Sequence, residues 1–429
     1  MDLNSSLSSN TIPVVSTLTK PTEDAKSSPT SSSEVHKPIS YWPGVYHSPV
    51  TDALWDERVS INERLFDIPD DAPPPTELLT RTPSESRTTI VYAFSSDSTL
   101  REQYKDPWNE FRIGKLLEDL DALAGTITFK ALMLVTASVD RIVLKKPISV
   151  DKDLKKSGSI IWVGRSSIEI QMEVITQGEG PNDSESVALT TNFIFVARDY
   201  KTNKAAQVNR LTPETEQEKI LYDGAEARDK VRKMKRGEDK KQSDKSGVNR
   251  LETLLSEGRI FCDMPALADR DSILLRDTRL ENALICHPQQ RNLHGRIFGG
   301  FLMHRAFELA FPTAYAFAGI VPSFLEVDRV DFYKPVDVGD FLRFKSCVLY
   351  TEHDNPDQPL IYVEVVAHVT RPEMRLVSNT FYFTFTVRPE AKATKNGFRL
   401  KNVVPATEEE ARRVLERMDA EALQRSQSI

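Results

Sequence analysis

The chain has 429 residues and a formal charge of −7, from 56 Lys and Arg against 63 Asp and Glu, so it lacks the basic excess of a nucleic-acid binder. It has no run of 18 apolar residues that would make a membrane helix, and its three cysteines, Cys262, Cys286 and Cys347, are too few for a disulfide framework. The length allows two domains. Residues 1–40 are rich in Ser, Thr and Pro and poor in aromatics, which predicts disorder. Ser-richness suits an organellar transit peptide. The lack of Arg before Arg58 and the acids Asp2, Glu23, Asp24 and Glu34 suit a plain tail.

An apolar helix is predicted at 113–124. Long alternating runs follow, "TITFKALMLVTASV", "SIIWVGRSSIEIQMEVIT" and "SVALTTNFIFVARDY", in the pattern of half-buried antiparallel strands. Residues 201–259 are charge-dense, and the basic cluster at 230–241 is interspersed with acids. This reads as a solvated linker with some helix rather than a nucleic-acid patch. A second apolar helix at 299–310 is followed by "SFLEVDRVDFYKPV", "DFLRFKSCVLYTEH", "IYVEVVAHVT" and "VSNTFYFTFTVR", which read as strands again.

The order of elements therefore repeats, and so do residues. "DRIVLKKPISV" at 140–150 matches "DRVDFYKPVDV" at 328–338, an offset of 328 − 140 = 188, and "FIF" at 193–195 matches "FYF" at 381–383 at the same offset. A tandem duplication follows. Each half is one helix against one long, curved antiparallel sheet, an α+β layer pair. The expected divisions are a disordered extension and lead-in at 1–80, a first domain at 81–205, a charged linker at 206–265, a second domain at 266–392 and a tail with a short helix at 393–429. Asp140 and Asp328 are expected to hold strand starts.

On a helical wheel, Leu116, Leu117, Leu120, Leu123 and Ala124 form one stripe. Asp121 falls at its edge, Asp119 at the other edge and Glu118 toward solvent, so a change at Asp119 is expected to be nearly silent. At an offset of 186 the second helix has the same stripe, Leu302, Met303, Ala306, Leu309 and Ala310. Phe307 stands where Asp121 does, and Gly300 where Gly114 does. The preceding loops differ the other way: Asn292-Leu293-His294-Gly295 aligns with Asp106-Pro107-Trp108-Asn109. One half thus owns a helix carboxylate and the other a polar, glycine-rich helix entrance.

"NLHGRIFGGFLM" and "GKLLEDLDALAG" resemble the acyl-CoA thioesterases of the double-hotdog type, most closely their mitochondrial group, over roughly residues 85–392. The resemblance implies tandem hotdog domains, each a long helix wrapped by a curved sheet, joined as an intrachain pseudo-dimer. It also implies hydrolysis of acyl-CoA to fatty acid and coenzyme A, trimers of pseudo-dimers, no cofactor, and a mitochondrial address, with plastid or cytoplasm as alternatives. The family's helix Asp corresponds to Asp121, and its entrance residues to Asn292, His294 and Gly295. The family often carries a second helix Asp; Phe307 replaces it here.

The chemistry suits these residues. Thioester hydrolysis needs an activated water and donors for an oxyanion, and a helix N-terminus offers unpaired N–H groups. Gly295, Gly299 and Gly300 would let the carbonyl approach bare backbone. Asp121 would act as base or nucleophile, with Asn292 or His294 orienting water or thioester. Arg291, Arg296, Arg329 and Lys334 stand near enough in sequence to meet coenzyme A phosphates. The bland readings are close packing for the glycines and a solvated edge acid for Asp121. No metal is expected, since His287, His294 and His304 lack ligand spacing. A Cys286–His287 dyad is disfavoured, because adjacent strand residues face opposite ways. A hotdog enoyl-CoA hydratase and a non-catalytic acyl-CoA binding module stand as alternatives.

Overall fold

Leu and Ala favour helix, and placed on one stripe they bury it against a sheet. In the computed structural model, helix α1 (Ile113–Thr128) buries Leu116, Leu117, Leu120, Leu123 and Ala124. Helix α4 (Gly299–Ala318) buries Leu302, Met303, Ala306, Leu309 and Ala310 in the same way. Both helices outrun the sequence expectation. α4 ends at Gly319, whose φ of 65° is the left-handed cap that glycine adopts without strain. The structure describes residues 80–128, 134–176, 185–199, 204–238, 245–291, 296–332, 334–371, 374–394 and 398–427.

The first half contributes β1 (Thr88–Tyr92), β2 (Leu134–Val139), β3 (Ile142–Leu144), β4 (Leu154–Val163), β5 (Ser167–Thr176) and β6 (Ser186–Ala197). Between the halves run α2 (Glu216–Glu238) and α3 (Lys245–Asp263). The second half contributes β7 (Leu280–Ile285), β8 (Pro322–Val327), β9 (Val330–Asp331), β10 (Phe341–Glu352), β11 (Leu360–Arg371) and β12 (Met374–Val387), and α5 (Glu408–Gln427) follows. These strands make one antiparallel sheet in the order β7-β10-β11-β12-β8-β3-β6-β5-β4-β1, with β2 beside β6 and β9 beside β2. The halves therefore join at β8–β3, where Glu326 faces Val143, and at β9–β2, where Val330 faces Val139. α1 and α4 pack on each other against this sheet.

Strand register refines the repeat. Thr136 pairs with Phe195, and Phe324 pairs with Phe385. Thr136 and Phe324 are 188 apart, but Phe195 and Phe385 are 190 apart. The "FIF" segment thus answers structurally to Phe383–Phe385, two residues beyond the match read from sequence. A shift of two leaves every side chain on its face, so the alternation pattern could not reveal it. Asp140 and Asp328, expected at strand starts, instead directly follow the ends of β2 and β8, at equivalent places, and donate their N–H groups to the carbonyls of Asn192 and Tyr382.

The helices outside the two central ones cover the sheet. α2 lays Leu221, Tyr222 and Ala225 on Ile161 and Trp162. Its Arg228 and Arg232 donate to the buried Glu169 at 2.6 and 2.7 Å. α5 places Val414 against Leu349, Tyr350 and Tyr362, and its Arg413 and Arg417 meet Glu364 and Asp328. The charged linker is thus a docked cover, and the tail carries a helix of 20 residues where a short one is expected.

The wheel misplaces three acids on α1. Asp119 and Asp121 are both fully buried, and Glu118 faces α4 rather than solvent. A wheel sees one stripe, whereas α1 is covered from two sides. Asp119 accepts from Lys156 Nζ at 2.7 Å, Tyr104 at 2.5 Å and Tyr92 at 2.9 Å, and the Lys156 ammonium lies 4.0 Å from the Tyr92 ring centre. Neither partner of the ion pair is exposed at all. Asp119→Asn would leave a buried ammonium uncompensated, so it is expected to cost about 3–5 kcal/mol rather than to be silent. The urea unfolding midpoint measures this. Replacing both partners, Asp119→Leu with Lys156→Met, is expected to recover part of the loss.

Candidate active site

Helix α4 starts with Phe298 at its N-cap, a residue with no side-chain acceptor for the first-turn N–H groups. The acceptor comes from the other half. Asp121 Oδ2 takes the Gly300 N–H at 2.6 Å, and Asp121 Oδ1 takes the Thr136 hydroxyl at 3.0 Å. Residues 179 apart in sequence thus form one cap. Burial raises the Asp121 carboxyl to about 6, against the pull of the Gly300 and Thr136 hydrogen bonds and with a further push from the Glu118 charge.

The glycines have a geometric reason. A Cβ on Gly300 would lie 2.8 Å from the Glu118 carbonyl oxygen and 3.0 Å from Asp121 Cβ. A Cβ on Gly299 would lie 3.1 Å from Asp121 Oδ2 and 3.3 Å from the Phe332 ring. Bare backbone lets α4 reach the carboxylate across the helix crossing. The close-packing reading of these glycines therefore holds, but the packing is helix on helix and ends at a carboxylate.

The other expected site residues divide. Asn292, His294 and Gly295 lie outside the described residues. Arg291 and Arg296 flank that segment; their backbones bridge to Ile297 and Asp337, and the Arg296 side chain lies 3.8 Å from the Asp337 carboxylate. Arg329 is bonded to Asp331 at 2.8 Å. None of the described contacts joins these arginines to Asp121. Cys286 is buried, and its thiol is pushed up to about 12 by burial and the nearby Asp340, which disables it as a nucleophile. Thr136 was not singled out from sequence. The signal was present: the offset of 188 aligns Thr136 with Phe324, as the helix offset aligns Asp121 with Phe307.

The mirror position shows what that double exchange does. Gly114 sits against Phe307 and His304 as Gly300 sits against Asp121 and Glu118. Phe307 packs edge-on to Phe324 with centroids 5.5 Å apart, so an aromatic pair replaces the carboxylate and hydroxyl. The entrance loop is closed there by a Lys105–Phe111 bridge, the counterpart of Arg291–Ile297 at an offset of 186. Asn109, with φ of 64°, stands at the position matching Gly295. Asp106 Oδ1 fastens this loop by accepting from the N–H groups of Trp108 and Glu110. A cavity of about 210 Å³ remains, lined by Trp108, Phe307, Phe311, Phe324 and Arg388 among others. Asn109 does not line it.

Gly300→Ala is expected to destabilise by about 1–3 kcal/mol, the usual cost of overpacking, because its nearest obstacle is backbone. Gly114→Ala meets the edge of the His304 ring, a side chain that can move, and is expected to cost less. Thermal unfolding of the two variants compares them, and equal losses would contradict the backbone clash.

No family model matches the chain. Curated proteins do, among them these three. A protein of Humulus lupulus named acyl-coenzyme A thioesterase 2, chloroplastic, is 71% identical over 98% of this chain and all of its own length. Another from Humulus lupulus, acyl-coenzyme A thioesterase 4, mitochondrial, is 60% identical over 96% of this chain and 80% of its own. Acyl-coenzyme A thioesterase 9, mitochondrial, of Homo sapiens is 32% identical over 78% of this chain and 77% of its own. By these identities and this coverage the chain belongs to the acyl-coenzyme A thioesterases.

Proposed function

We propose that this chain hydrolyses acyl-CoA thioesters with Asp121 as general base. The observation that carries the reading is the buried Asp121 carboxylate, fixed between Thr136 of its own half and the N-terminus of α4 from the other. A base with a carboxyl near 6 is mostly ionised at neutral pH, yet basic enough to take a proton from water. The hydroxide equivalent attacks the thioester carbonyl. The tetrahedral oxyanion finds positive charge at the α4 N-terminus, and collapse expels the coenzyme A thiolate. Asn292, His294 and Gly295 are proposed to orient water or thioester, and Arg291 and Arg296 to meet the coenzyme A phosphates, while Gly299 and Gly300, expected to admit the carbonyl, serve instead to bring the α4 N-terminus to Asp121.

Each half is read as a hotdog unit, with divisions near 81–205 and 266–392, and the pair as an intrachain pseudo-dimer. The continuous sheet and the crossing of α1 with α4 support this. A trimer of pseudo-dimers is the proposed assembly, which light scattering tests against one 48.5 kDa chain. The related proteins carry chloroplastic and mitochondrial names, so an organellar address is proposed. Fusing residues 1–79 to a fluorescent protein distinguishes the compartments.

Incubation with acyl-CoAs and a thiol reagent separates hydrolysis from hydration or mere binding, since free coenzyme A appears only with hydrolysis. Asp121→Asn is expected to lower kcat at least ~10²-fold, the lower end of what acid–base groups contribute. Wild-type kcat/KM is expected to fall below a pH of about 6, as protonation of Asp121 removes the base. A nucleophilic carboxylate would instead expel the thiolate to form a mixed anhydride, and water attacking its aspartyl carbonyl would carry ¹⁸O from labelled water into Asp121 in single-turnover experiments. Phe307→Asp is expected to gain no activity, because no hydroxyl or His-Gly entrance stands opposite it.

A further inference from the structure

Glu118 and His304 hold the same position in the two repeats, 304 − 118 = 186, and they meet across the helix crossing. His304 Nδ1 lies 2.8 Å from Glu118 Oε2, and His304 Nε2 lies 3.0 Å from Glu308 Oε1. Both acceptors are carboxylates, so both ring nitrogens carry hydrogens and the ring is an imidazolium. Glu118 and Glu308 hold His304 protonated against the opposing pull of burial. The opposite effect holds Glu118 at about 2: its burial is outweighed by His304 and by Lys115.

The surrounding charges come from three sides. From α1, Lys115 lies 3.2 Å from Glu118, and from just before it Arg112 lies 3.3 Å from Glu308. From α4, Arg305 bonds Glu308 at 2.6 Å. Across the cavity stand Asp106, Glu110 and Arg388, the last two bonded to each other at 2.7 Å. Gly114 makes room for the ring, since a Cβ there would sit 2.7 Å from His304 Cδ2. Glu118 is three residues before Asp121, a neighbour on the same helix surface, and its charge disfavours ionisation of Asp121.

We propose that His304 is a positioning residue for thioester hydrolysis: its imidazolium neutralises Glu118 and pins α4 to α1, so that Asp121 stays ionised and seated on the Gly300 N–H. The proposal rests on Asp121 being the base. It assigns the glutamate and histidine at the centre of the crossing a part in the reaction that acts through Asp121.

The test is the pH profile of kcat/KM for wild type, His304→Gln, Glu118→Gln, the double variant and Asp121→Asn, with thermal midpoints alongside. His304→Gln keeps a hydrogen bond but loses the charge. Its acidic limb is expected to move up by about half to one pH unit, which is a three- to tenfold loss on the limb and little at pH 8, with kcat changing more than KM. Glu118→Gln is expected to move the limb down. The double variant is expected to return close to wild type, because both charges are gone. A His304→Gln limb that stays in place while activity drops evenly at all pH values would reduce His304 to a structural role. A double variant no closer to wild type than His304→Gln would do the same. If His304→Gln does not fold, Glu118→Gln decides alone, and an unmoved limb overturns the proposal. If Asp121→Asn keeps its activity, the reading of Asp121 itself fails, whatever His304→Gln does.

Discussion

A helix that begins Phe-Gly-Gly cannot cap itself, and the rest of this molecule is arranged around the group that caps it. Asp121 accepts the Gly300 N–H from across the helix crossing, in the way an Asp at an N-cap serves its own helix. The contact demands that α1 and α4 touch at backbone distance, which only residues without a Cβ allow. Thr136 completes the carboxylate's shell from β2, the strand that pairs with β9 of the other half. The positive end of α4 and two donors keep a fully buried carboxylate ionisable near neutrality, where an isolated one would stay protonated.

The repeat gives the α1–α4 crossing two such contacts, and their residues differ. At one, Asp121, Thr136 and Gly300 converge. At the other, Phe307, Phe324 and Gly114 converge, and the aromatic pair extends to Phe311, Phe383 and Phe385. A buried carboxylate needs partners, and the mirror entrance has Trp108 and Asn109 where the first has His294 and Gly295. Replacing acid and hydroxyl together by aromatics removes a polar cost and adds packing. Between the two contacts lie Glu118 and His304, repeat partners of opposite charge that bind each other.

The outer face of the sheet carries a second set of constraints. Glu169, Glu364 and Asp328 are buried or nearly so, and each is met by arginines of a helix that follows its own half in sequence. Removing either partner would strand a charge. The cover helices are polar on average, so their docking depends on these pairs together with small apolar patches such as Leu221 and Ala225 or Val414.

The sequence by itself determined the repeated motifs, the α+β class, the two apolar helices and the exchange of Asp121 for Phe307. Each of these is written in local periodicity or in a fixed offset between halves. Thr136 was legible by the same comparison, since it aligns with Phe324. Tertiary structure decided which acids on α1 matter and how. The wheel put Asp119 at a stripe edge and Glu118 in water because it counts one apolar stripe. In the fold Lys156 comes to Asp119 from 37 residues away and His304 comes to Glu118 from 186 away. No local pattern carries those meetings. They arise because the sheet folds distant strands and the second helix onto α1, and a charge buried there is fixed by whatever opposite charge those elements bring to it.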